Sequence, residues 1–82
     1  MNKVKVNILD IRENKVVKDL VVYFAIKDAA LVFINSQIDA FEFEYGKIKQ
    51  GVLIDDYHIF KATSTHELLI EVEWGKQWKQ VC

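Results

Sequence analysis

Between residues 3 and 11, in "KVKVNILDI", apolar side chains fall at every second position, with Val4, Val6 and Ile8 alternating with Lys3, Lys5 and Asn7. A period of two is that of a strand with one buried face and one wet face. Such a strand needs a neighbour, and the next residues supply one. "RENK" (12–15) is a turn signal, and "VVKDLVVYFAI" (16–26) is rich in β-branched and aromatic residues. Centring the turn on Asn14 opposes Ile8 to Leu20, Val6 to Val22 and Val4 to Phe24, and sets Asp10 against Lys18. A slip of one residue would put Asp19 against Ile8, so apolar and opposite-charge pairing select the first register. Asn14 also tolerates the left-handed backbone that an odd-length loop often needs.

"KDAALVFINSQ" (27–37) reads as a helix, with Asp28 as the amino-terminal cap, Ala29 and Ala30 as strong formers, and Asn35-Ser36 suited to an end. The competing reading makes "LVFI" a strand. In "IDAFEFEYG" (38–46), Phe41, Phe43 and Tyr45 alternate with Glu42 and Glu44, the pattern of another strand, and "KIKQG" leads to a turn near Gln50-Gly51. "VLIDDYHIFKA" (52–62) is a long or broken strand with a bulge or turn at Asp55-Asp56. After "TST", "HELLIEVEW" (66–74) sets Leu68, Ile70, Val72 and Trp74 on one face and Leu69, Glu71 and Glu73 on the other. The order ββαβββ, with hairpins between neighbours, predicts a small α+β domain with a mostly antiparallel sheet and one short helix on one face. A small all-β barrel is the alternative.

Eighty-two residues make a single domain. Apolar residues are 51% of the chain, near the top of the soluble range, so apolar surface should remain after folding and favour a homodimer or a partner. The net charge of −1 hides an asymmetry. Residues 1–38 carry six Lys/Arg against four Asp/Glu, residues 39–73 carry three against eight, and residues 74–82 add Lys76 and Lys79. No global basic field recruits nucleic acid. The single cysteine, Cys82, allows no internal disulfide, the charges in "MNKVKVNILD" argue against a signal peptide, and the longest apolar runs are too short to span a bilayer. These features lead us to expect a soluble, intracellular protein.

Catalytic constellations are sparse. Gly46, Gly51 and Gly75 are isolated rather than gathered in a phosphate loop, Ser36 and Ser64 lie in no nucleophile elbow, and Cys82 has no fixed environment to activate it. In a hairpin turning at residues 63–65, His58 would lie about 13 Å from His66, too far to share a metal whose bonds are about 2 Å long. Adjacent Asp55 and Asp56 would point to opposite faces of a strand. The expectation is therefore no enzyme, no cofactor and no metal.

Glu42, Glu44, Glu71 and Glu73 would form one acidic surface if their two strands were neighbours, and that surface, with Trp78, is the candidate partner-binding site. Trp74 continues the apolar row of its strand, whereas Trp78 follows Gly75 and suits a lid or a partner contact. The expected function is non-catalytic protein binding by a small regulator or inhibitor. Small inhibitors borne by mobile elements share this size and composition. Two alternatives come from other classes. One is a nucleic-acid module using Trp78, Lys76 and Lys79, and the other is a structural subunit of a larger assembly.

Overall fold

The first alternating segment forms β1 (Asn2–Asp10), which pairs antiparallel with β2 (Lys15–Phe24). The computed structural model describes residues 1–55 and 58–75, with backbone alone at residues 50 and 52–55. Asn14 lies in the turn with φ of 53°, the left-handed conformation expected there. The register differs by two residues from the expected one: Val6 opposes Leu20, Val4 opposes Val22 and Asn2 opposes Phe24. A shift of two leaves every side chain on its expected face. Nearest the turn the offset is three, with Asp10 opposite Lys15 rather than Lys18, and the irregularity between Ile8 and Leu9 brings it back to two. Asp10 is engaged instead by Arg12, and the Lys18 ammonium donates to the Gln37 side chain, so the anticipated Asp10–Lys18 pair does not set the register.

The helix is the main correction. α1 spans Lys27–Tyr45, nineteen residues, so residues 38–45 are helical rather than a strand. Ala30, Ile34, Ile38, Phe41 and Tyr45 recur at helical spacing and face the core. Ser36 stays inside the helix by donating its hydroxyl to the Phe33 carbonyl at 2.7 Å. Ile26, extended at φ −114° and ψ 131°, occupies the cap position without a side-chain hydrogen bond, and Asp28 lies in the first turn instead. There its charge favours the helix dipole without capping. The helix ends at Gly46, whose φ of 101° suits glycine and whose N–H donates to the Glu42 carbonyl.

β3 (Gln50–Asp55), β4 (His58–Ala62) and β5 (His66–Glu73) follow. The segment expected as a long or broken strand is the broken one, β3 ending at Asp55 and β4 beginning at His58, and residues 50–51 begin β3 instead of forming a turn. The β4–β5 hairpin turns at residues 63–65 as expected. The sheet runs β2-β1-β5-β4-β3, antiparallel throughout, with β2 and β3 at its open edges. It does not close into a barrel. The chain is a small α+β fold, two layers thick.

α1 lies over β2, β1 and β5. Val4, Val6 and Ile8 of β1 and Leu68, Ile70 and Val72 of β5 meet Ala30, Ile34 and Phe41 of the helix in the core. Trp74 packs against this core half-buried, with the Lys27 ammonium 4.8 Å from its ring centroid. Asn2 fastens one end of the sheet: its amide donates to the Phe24 carbonyl and its oxygen accepts from Gly75 N–H at 2.9 Å. A Cβ on Gly75 would stand 3.0 Å from the Met1 carbonyl oxygen, so this approach suits glycine. Among the described residues, no helix is long and apolar enough to cross a membrane.

Candidate functional site

With the helix on one face, the other face of the sheet is open among the described residues. Register partners share a face, so the pairings define its rows. Tyr23, Lys3 and Glu73 lie in line across β2, β1 and β5. The next row is Val21, Lys5, Glu71 and His58, and the one after it Asp19, Asn7, Leu69 and Phe60. Beyond these come Val16, Leu9 and Glu67. The face therefore has two characters. Lys3, Lys5, His58, Glu71 and Glu73 line a charged depression of about 290 Å³, in which His58 Nε2 lies 3.6 Å from the Glu71 carboxylate. Leu9, Val16, Phe60 and Leu69, with Asn7 and Glu67, line an apolar depression of about 250 Å³. Leu9, Phe60 and Leu69 are half-buried, and Val16, Val21 and Tyr23 are exposed.

This geometry divides the four expected carboxylates. Glu71 and Glu73 project from the open face as anticipated, and Ile70 and Val72 face the core. Glu42 and Glu44 are exposed on α1, on the other side of the sheet, so the four do not form a single acidic surface. The cause is the helical course of residues 38–45, which also separates the aromatic row: Phe41 is 1% exposed and Phe43 is 93% exposed. Glu71 and Glu73 are moreover flanked by Lys5 and Lys3, so the open face is of mixed sign rather than acidic. Trp78, Lys76, Lys79, Cys82 and Asp56 lie outside the described residues.

The sequence pattern placed Lys3, Lys5 and Asn7 on the wet row of their strand, and Leu69 on the row of Glu71 and Glu73. It did not join those rows, because nothing local marks β1 and β5 as neighbours. Leu9 and Leu69 are the signal that was present, since each is an apolar residue in an otherwise polar row.

A second cluster, unforeseen in the sequence, sits under Tyr45. Thr65 Oγ1 is 2.7 Å from His66 Nδ1, and His66 Nε2 is 3.7 Å from an Asp10 oxygen. A hydroxyl, an imidazole and a carboxylate in a line are the parts of a nucleophilic triad. Asp10 and His66 are held by further contacts as well. Asp10 accepts from the Arg12 guanidinium and from the backbone N–H of Arg12 and Glu13, and the hydrogen bond from Arg12 holds its carboxyl below the usual value. His66 is 6% exposed, and the Tyr45 ring stacks on it at 3.9 Å. Burial and the adjacent Glu44 push the Tyr45 hydroxyl up. The Thr63 hydroxyl accepts from His66 N–H and Thr65 N–H, and Ile11 N–H donates to the Thr65 carbonyl. The cluster thus ties the turn before β5 to the end of β1.

Among the described residues, no group of three or more His, Cys, Asp or Glu is placed to hold a metal. His58, level with Glu71, and His66, stacked under Tyr45 of the helix, lie on opposite faces of the β4–β5 hairpin. Compared with known proteins, the chain matches no family model, no curated protein and no solved structure.

Proposed function

We propose that this chain is a non-catalytic protein-binding module, a regulator or inhibitor that works by occupying a partner's surface with its open sheet face. One observation carries the reading. A five-stranded sheet buries one face under α1, while the other presents Leu9, Val16, Phe60 and Leu69 beside columns of lysine and glutamate. Apolar side chains in contiguous rows, rimmed by charge, are what a protein interface requires. The buried cluster around His66 supports the non-catalytic part, since its groups are already engaged by one another. Of the four glutamates that the sequence offers as candidates, Glu71 and Glu73 belong to this surface.

A photo-reactive amino acid at position 69 tests the proposal against the same probe at position 43, on the exposed side of the helix. The expected result is a defined protein adduct from position 69 in cells of the native host and none from position 43. Adducts formed only from position 43 would transfer the binding surface to the helix and overturn the reading.

A further inference from the structure

We infer that the partner for this face is a second copy of the chain, stacked sheet against sheet about a two-fold axis that runs along the strands between β1 and β5. The inference rests on the protein-binding reading above: the second copy occupies this face in the free protein, and a regulated protein would have to displace it.

The register carries the argument. Lys3 is paired with Glu73, and Lys5 with Glu71, so each lysine stands level with a glutamate on the neighbouring strand. All four side chains point out of the open face. A half-turn about an axis midway between these strands brings the second copy face to face and sets its β1 over the first copy's β5. Because the pairs are level, the second copy's Lys3 and Lys5 arrive over the first copy's Glu73 and Glu71. The same operation places the first copy's lysines under the second copy's glutamates. One contact thus satisfies itself twice, as an isologous interface demands.

The rest of the face is less strictly matched: the second copy's Asn7 lands over Leu69 and its Asp19 over Phe60. The second copy's Leu9 lands over Glu67, one row from Leu69, within reach of its side chain. Its Val21 lands over His58. Stacked sheets sit about 10 Å apart with strands crossing at about −30°, so the match is best next to the axis, where the four charged pairs lie. Turning the second copy instead about an axis across the strands would set β1 over β1 and β5 over β5, bringing lysines to the lysine strand and glutamates to the glutamate strand and losing the complement. Size is adequate too. Four strands about 4.8 Å apart and up to about eight residues long project roughly 500 Å². The accessible area of such a corrugated face is larger, which approaches the ~800 Å² per partner of a standard interface.

Charge exchange tests the inference by sedimentation equilibrium. The native chain should be a dimer at tens of micromolar. Lys3→Glu/Lys5→Glu makes the central columns wholly acidic, and Glu71→Lys/Glu73→Lys makes them wholly basic. Each variant alone should dimerise more weakly by on the order of tenfold or more, and an equimolar mixture should recover the dimer mass. Native monomer at high micromolar concentration, undiminished dimer in either variant, or a mixture that stays monomeric would overturn the inference. If either variant fails to fold, by circular dichroism, the native chain still decides. Zero-length coupling of a mixture of isotopically light and heavy protein should join Lys5 of one copy to Glu71 of the other, and products of one isotope only would count against stacking. A monomeric native chain that gives a foreign-protein adduct at position 69 would remove the second copy and leave the binding function. A monomer with no adduct there would remove both.

Discussion

Phe41 and Phe43 differ by two positions, and nothing in their own chemistry separates them. One is buried against Ile34 and the sheet, and the other is almost wholly in solvent. Phe41→Ala should therefore destabilise the fold by about 3–5 kcal/mol, whereas Phe43→Ala should stay within about 0.5 kcal/mol. Urea titration of the two variants checks this, and equal losses would put residues 38–45 back in a strand. Asp10 makes a prediction about acid. Its folded-state carboxyl is held below its ordinary value of 3.8 by Arg12, so the folded protein binds protons there less readily than the unfolded chain. The stability this contributes is present above pH 3.8 and is lost as pH falls through the folded value. Asp10→Asn should flatten that part of the acid limb. A pH series of denaturant midpoints shows it, with the native chain losing more stability than the variant across the interval.

The strands at the two ends of the chain were legible because each has one buried face, and burial on one side imposes alternation. β1, β2 and β5 appear where "KVKVNILDI", "VVKDLVVYFAI" and "HELLIEVEW" indicate. The helix was legible only in its first half. Residues 41–45 satisfy a period of two locally, through Phe41, Phe43 and Tyr45, yet the longer run Ala30, Ile34, Ile38, Phe41, Tyr45 has helical spacing. The uninterrupted stretch from Lys27 to the first glycine, Gly46, was the further sign. An exposed phenylalanine defeats pattern reading because the pattern assumes that apolar means inward. The register departs from the pattern for a different reason: pairing rules favour a cross-strand Asp10–Lys18 contact, whereas Asp10 turns to its own neighbours in the turn and to His66. Half of the candidate site, Glu71 and Glu73, was legible on β5. Its lysine half was not, because it depends on strand order, which leaves no local trace. At this scale, hydrogen exchange makes the next prediction. β1 and β5 are paired on both sides, so their central amides should exchange slowest, and half of the amides of β2 should exchange fast, being turned to the open edge. Uniform protection across β2 in dilute solution would mean that a further strand covers that edge.

The whole molecule is joined through its middle by strands from opposite ends of the described chain. β1 and β5 are adjacent, with Val6 opposite Ile70, sixty-four residues apart in sequence. Pairing so distant in sequence incurs the loop-closure entropy before the contacts form, which predicts folding in milliseconds to seconds rather than microseconds. Stopped-flow refolding measures this, and a microsecond phase carrying the full amplitude would contradict it. The same adjacency has a consequence for synthesis. As the chain leaves the ribosome, β1 and β2 can pair and α1 can form, but the inner edge of β1 has no neighbour until residues 66–73 emerge. During that interval, nine residues of alternating strand offer unpaired backbone to any other nascent chain nearby. Translation halted before β5 would therefore yield an aggregation-prone product, and the cell's chaperones would meet this protein chiefly in that form.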